Sequence, residues 1–137
     1  MNNGTIDNLI KLRIFLEYLC DGFSKSDLNK DTLLSTKNKI LFVLEKKDAT
    51  PSELTMALSI AKSNLANTLK SMTNENLVIS YKNSDRAKYV YYQITDKGRQ
   101  VLKEYKDKVF GNVISRCHNI DDVAVQLEKI IQIIKGE

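Results

Sequence analysis

Between Lys62 and Ser71 the chain carries Lys62, Ser63, Asn64, Asn67, Thr68, Lys70 and Ser71, a polar set with two cations and no acid. Asn can bond bidentately to the edge of adenine, Ser and Thr reach phosphates or base edges, and Lys neutralises backbone charge, so the set suits contact with duplex nucleic acid. A second group, Asp85, Arg86 and Lys88, lies in a short polar run that starts at Asn83. A planar guanidinium at the end of a ribbon fits a narrow minor groove, and Asp85 could orient that side chain. Each group by itself also reads as a solvated helix face or an ordinary exposed turn. The order of the surrounding elements favours nucleic acid.

Thr50-Pro51-Ser52-Glu53 is a helix start: a Thr N-cap, Pro at the first helical position, and Glu53 placed to reach back to the cap. The helix it opens covers Pro51 to about Leu58, with Leu54 and Leu58 inward. Ser59-Ile60-Ala61 forms a turn with Ile60 as its apolar plug. The next helix, over about residues 62 to 75, turns Leu65, Leu69 and Met72 inward and the polar set outward. The second helix of such a pair is the one that enters a DNA groove. Asn76 closes it in the left-handed region, and strands over about Leu77 to Lys82 and Lys88 to Thr95 flank the polar tip at about residues 83 to 88.

The flanks are helical. A helix from about Ser35 to Lys47 turns Ile40, Leu41, Val43 and Leu44 inward. Thr95 caps a long helix whose stripe of Val101, Leu102, Tyr105, Val109, Val113 and Cys117 runs toward His118. Apolar residues nearly encircle the first helix, Thr5 to Cys20, which predicts burial on two sides. The last helix, Ile120 to Lys135, repeats Ile120, Val123, Ala124, Leu127, Ile130, Ile131 and Ile134 at helical spacing. Two such apolar ends are best explained by a shared dimer interface. The expected fold is mainly α with a small β-hairpin wing: an N-terminal dimerisation helix and connection over 1–34, a winged helix-turn-helix over 35–98, and C-terminal dimerisation helices over 99–137, as one continuous domain.

Charge is distributed to match. The chain of 137 residues has a net charge of +4, yet residues 35 to 108 hold 14 Lys and Arg against 8 Asp and Glu. Segregated positive charge suits a polyanion, and a Lys excess alone is also common on cytosolic proteins. Cys20 and Cys117 form no close pair, so neither a disulfide framework nor a zinc knuckle is expected. With one His in the chain, a His-based triad has little material. Cys117-His118 near Asp121-Asp122 diverge on a helix and are not read as a metal site. No phosphate-binding loop, dinucleotide fingerprint or nucleophile elbow is present, so an enzyme is not expected, and no cofactor is. The sequence shows neither a signal peptide nor an apolar run of membrane-spanning length, so a soluble, cytoplasmic protein is expected.

The middle of the chain resembles the MarR family of winged helix-turn-helix regulators. The resemblance rests on Ala49-Thr50-Pro51-Ser52-Glu53-Leu54, the spacing from Leu58 through Leu65 and Leu69 to Leu77-Val78, Asp85-Arg86, and Ile94-Thr95-Asp96-Lys97-Gly98-Arg99. It is specific over residues 35 to 108 and architectural outside them. Two positions depart from the pattern: Ala87-Lys88 stands where the family often has a further Arg, and Ala61 replaces the usual Ser/Thr cap. The resemblance implies a homodimeric repressor on a pseudo-palindromic double-stranded DNA operator, in many members relieved by a small phenolic or lipophilic ligand or by cysteine oxidation. No residue is singled out for a ligand. Cys20, near the end of the first helix, lacks basic neighbours that would activate it and is read as an inert thiol. The alternative to DNA binding is a winged helix that docks on protein, which would place an apolar surface on the second helix of the pair.

Overall fold

Ser35 and Thr50 start the two helices that frame the middle of the chain. The Ser35 hydroxyl accepts from the Asn38 backbone N–H at 3.2 Å. Thr50 and Glu53 form a reciprocal capping box, with Glu53 N–H to Thr50 Oγ1 at 3.2 Å and Thr50 N–H to Glu53 Oε1 at 3.4 Å. Such caps satisfy N–H groups that a helix cannot bond internally and stabilise by about 1 kcal/mol.

The computed structural model describes residues 4–14, 35–84, 88–114 and 118–136, without the side chains of residues 110 and 112–114. Helix α1 is seen over residues 4–14. It is followed by α2 (Thr36–Lys46), α3 (Pro51–Leu58), α4 (Lys62–Asn74), strands β1 (Val78–Tyr81) and β2 (Tyr91–Ile94), α5 (Asp96–Ile114) and α6 (Ile120–Lys135). The chain divides into two compact units, residues 29–107 and residues 1–28 with 108–137.

In the first unit the core is assembled from the inward stripes of every element. Ile40, Leu41 and Leu44 of α2, Leu54 of α3, and Leu65, Leu69 and Met72 of α4 are buried with Ile60, Leu77, Val78, Ile94 and Leu102. Val43, Leu58, Tyr92, Val101 and Tyr105 pack against this cluster, partly exposed. Ser59, at φ 52°, ends α3 in the left-handed region. After α4, Asn76 at φ 63° donates its N–H to Thr73 O at 3.0 Å, and Leu77 donates to Met72 O at 2.9 Å. This is a Schellman closure, with the buried pair Leu77 and Met72 as its hydrophobic contact.

That closure shortens the first strand. Leu77, expected to begin it, is spent on the helix end, and pairing starts at Val78↔Ile94 and ends at Tyr81↔Tyr91. Lys88, Tyr89 and Val90, expected in the second strand, are unpaired. The hairpin is tied to the α2–α3 connection by a bridge between Ala49 and Tyr92, with N–H···O distances of 3.2 and 2.8 Å. It is also tied by the Tyr81 hydroxyl, which donates to Asp48 Oδ2 at 2.5 Å while its ring stacks on Tyr91 at 5.8 Å.

Helix α5 starts where Thr95 Oγ1 accepts from the Gly98 N–H at 3.0 Å. Lys106 of α5 reaches α2, bonding Glu45 at 2.7 Å and lying 5.7 Å above the Phe42 ring. The salt bridge holds the Glu45 carboxyl below its usual range.

The second unit is described over α1, the end of α5, and α6. Among its described residues, Ile6, Leu9, Ile10 and Ile14 of α1 are 43–61% exposed, Ile133 and Ile134 of α6 are 76% and 70% exposed, and Leu12, Ile120, Val123 and Leu127 are half-buried. Burial of the first helix on two sides is therefore absent within the described residues. The part of that helix expected over residues 15–20, Cys20, Asp85, Arg86 and Cys117 lie outside them.

Candidate nucleic-acid interface

Helix α4 is amphipathic because Leu65, Leu69 and Met72 recur at i, i+4 and i+7, with exposures of 1%, 2% and 0%. Ala61 offers no side-chain cap, and its carbonyl accepts from Leu65 N–H at 2.9 Å. With about 3.6 residues per turn, the outward side of α4 falls into three strips. Ser63, Asn67 and Asn74 form the outermost ridge, and all three are exposed. Lys62, Ala66, Lys70 and Thr73 lie on one flank, and Asn64, Thr68, Ser71 and Glu75 on the other.

The two flanks differ in chemistry. On the second, Thr68 Oγ1 donates to the Asn64 backbone carbonyl at 2.8 Å and lies 3.4 Å from Asn64 Oδ1. Such back-bonding is a usual fate of Thr inside a helix. Ser71 Oγ donates to Glu75 Oε1 at 3.2 Å, Lys37 bonds Glu75 Oε2 at 3.1 Å, and Lys97 Nζ donates to the Glu75 carbonyl at 2.9 Å. The hydrogen bond from Lys37 holds the Glu75 carboxyl below its ordinary value, against the opposing effect of burial. This flank is thus occupied by its own polar contacts and carries a carboxylate.

The first flank opens into a groove of about 570 Å³ between α3, α4 and the hairpin. Pro51, Ser52 and Thr55 form one wall, Lys62, Ala66, Lys70, Thr73 and Asn74 the other, with Ser80 and Tyr92 contributed by the strands. Leu65 and Leu69 close its base, and no Asp or Glu lines it.

The polar residues expected to share one face therefore divide. Lys62 and Lys70 face the groove, Ser63 and Asn67 form the ridge, and Asn64, Thr68 and Ser71 stand on the flank of the Lys37–Glu75 ion pair. Lys88 is exposed beyond the hairpin. Asn74, Ser80 and Tyr92 were not among the residues read from sequence. The signal for Asn74 was its i+7 spacing from Asn67; nothing local marked Ser80 or Tyr92, which reach the groove through strand pairing. Among the described residues no group of three or more His, Cys, Asp or Glu could hold a metal ion, and no helix is long and apolar enough to cross a membrane.

Comparison with known proteins is consistent with this geometry. Residues 35–80 match the family model described as bacterial regulatory protein, arsR family. The transcriptional regulator AdcR of Streptococcus pneumoniae is 30% identical over 73 residues, 53% of this chain and 50% of the relative. The match thus spans about half the length of that curated relative. Among solved structures, AbsC, a MarR family transcriptional regulator from Streptomyces coelicolor, superposes with a TM-score of 0.64 at 18% identity, covering 100% of this chain and 99% of that one. The adhesin competence repressor AdcR from Streptococcus pyogenes gives 0.53 at 18% identity, covering 99% and 96%. The fold these features define is the winged helix-turn-helix, and the proteins it matches are transcriptional regulators.

Proposed function

We propose that this protein is a cytoplasmic, sequence-specific regulator of the MarR type that binds double-stranded DNA as a homodimeric repressor. The observation that carries the reading is the exposed ridge Ser63, Asn67 and Asn74, flanked by Lys62 and Lys70, on the second helix of a helix-turn-helix followed by a hairpin. A helix so placed fits the major groove, where Asn can read base edges and Lys can meet phosphates. Arg86, at the hairpin tip expected from the sequence, is assigned to the minor groove with Asp85 and Lys88 beside it. An apolar docking face, which a protein-binding winged helix would need on α4, is not what this ridge offers.

Dimerisation is assigned to the terminal segments, residues 1–34 and 99–137. The exposed isoleucines of α1 and α6 form apolar surface of the kind a subunit interface covers. Repression is the role of the Streptococcus pyogenes adhesin competence repressor, whose fold this chain shares. The test is retention of mixed genomic fragments at several salt concentrations, followed by sequencing of what is retained. A shared pseudo-palindromic site, released as salt rises, is expected. Absence of retention at low salt would reject the reading in favour of a protein-docking module.

A further inference from the structure

The groove between α3, α4 and the hairpin is cationic and lined by no carboxylate. Of its lining residues, Lys62 and Lys70 are cations, Ser52, Ser80, Tyr92 and Asn74 carry donor groups, and none is acidic. Thr55 and Thr73 also line it, but their hydroxyls donate to the carbonyls of Pro51 and Leu69 at 2.9 and 2.8 Å, so they present only lone pairs. Across α4 the corresponding flank is already occupied by its own contacts, Glu75 being paired with Lys37 at 3.1 Å and bonded by Ser71 at 3.2 Å.

We propose that this groove seats the phosphodiester backbone of one DNA strand, with Lys62 and Lys70 as its charge contacts and Ser52, Ser80 and Tyr92 as hydroxyl donors. The inference rests on the DNA-binding reading and extends it in two ways. It adds residues of α3 and of both strands to the contact surface. It also fixes the roll of α4 about its axis: the groove side turns toward the phosphates, the ridge of Asn67 and Asn74 meets the base edges, and the flank of Asn64, Thr68 and Ser71 turns away. Charge complementarity selects the occupant. A groove with two ammonium groups, several hydroxyls and no carboxylate suits a phosphate chain and offers nothing to an acceptor-poor, cationic partner.

The test inserts charge without bulk. Ser80 is an exposed strand residue, so Ser80→Asp and Ser80→Asn differ in charge at nearly constant shape. Gln93→Glu places the same added charge on the other face of the same hairpin, because Gln93 pairs with Ile79 and strand residues alternate between faces. Binding is measured with a short duplex of mixed sequence and with a retained genomic fragment, over a series of salt concentrations. Ser80→Asp should weaken binding to both duplexes by roughly tenfold or more relative to Ser80→Asn, with Gln93→Glu within about twofold of the unaltered protein. Lys62→Ala and Lys70→Ala should each lower the slope of log affinity against log salt by about 1 per side chain lost from the complex. Melting temperature checks that each variant is folded; should Ser80→Asp unfold, the two lysine variants decide. If Ser80→Asp equals Ser80→Asn, or the lysine variants keep the full slope while the unaltered protein binds DNA, the groove assignment is overturned and the DNA reading stands. If the unaltered protein shows no salt-dependent binding, both fall.

Discussion

A Cβ built on Gly98 would stand 2.3 Å from the carbonyl oxygen of Leu77. The same oxygen already accepts the Thr95 N–H and the Thr95 hydroxyl, both at 3.0 Å, so the start of α5 and the end of α4 share one crowded seam. Ile94 and Leu41 close it at 2.8 and 3.2 Å from the same point. The backbone cannot yield there without moving the hairpin off α2. Gly98→Ala is expected to destabilise the protein by about 1–3 kcal/mol, read as a lowered melting temperature, with DNA affinity falling because the hairpin and α4 lose their relative placement. An unshifted melting temperature would refute this account of the seam.

Sedimentation at micromolar concentration should give twice the chain mass of 15.6 kDa. Ile131 and Ile134 of α6 are 44% and 70% exposed in the single chain, so an acidic residue at both should leave a monomer. A buried Ile is worth about 1.5–3 kcal/mol, and charges held at an apolar interface oppose association further. A soluble, unaltered monomer at that concentration would defeat the dimer assignment.

If each protomer brings Lys62, Lys70 and Lys88 to the backbone, with Arg86 in the minor groove, a dimer neutralises about 6 phosphates, and log affinity should fall with log salt at a slope of about −5. A slope near zero would exclude the DNA reading. The measurement is a titration at fixed protein concentration over a range of potassium chloride.

Ridge and wing should separate by what they read. Asn67→Ala is expected to lose discrimination at a defined operator position while binding to mixed-sequence duplex, which depends on cations, stays nearly intact. Arg86→Ala should weaken binding broadly, by about 1–3 kcal/mol, with sequence preference little changed. Asn64→Ala should do less than Asn67→Ala, because Asn64 stands on the flank shared with Glu75. Equal operator affinity in all three, folded and dimeric, would remove the assigned reading surface.

Acid should release the clamp at the end of α4. The Glu75 carboxyl is held below its ordinary value of 4.5 by Lys37, so its contribution is present above that value and lost as pH falls through the lowered one. At 44% side-chain exposure the pair contributes no more than about 1 kcal/mol. Glu75→Gln is expected to flatten part of the acid limb of the stability curve below about pH 4.5 and to leave neutral stability slightly reduced; an identical acid limb in the variant would contradict the clamp.

How much of this was legible before folding varies by element. Thr50-Pro51-Ser52-Glu53 signalled its own capping box, because a cap is a contact among neighbours in sequence. Leu65, Leu69 and Met72 signalled their burial for a related reason: helical spacing puts them on one stripe, and any helix that packs must bury it. Asn76 was legible as a left-handed closure. Leu77 has strand character in sequence but completes the helix end, since which of the two it does depends on a hydrogen bond to Met72 that propensity does not register.

The site divides along the same line. Polar character and cations over residues 62 to 71 were written in the sequence, and they sufficed to mark α4. The polar residues from Lys62 to Ser71 spread over roughly two-thirds of the helix circumference, so composition could not say which flank faces a partner. Tertiary packing decided that: the hairpin and α3 come together on the Lys62–Lys70 side to form a groove, while Lys37 of α2 and the end of α4 fill the other side with an ion pair. Sequence determined which side chains were available for contact with DNA. Only the fold determined which of them stand beside a carboxylate and which beside an open, acid-free groove, because that depends on partners tens of residues away along the chain.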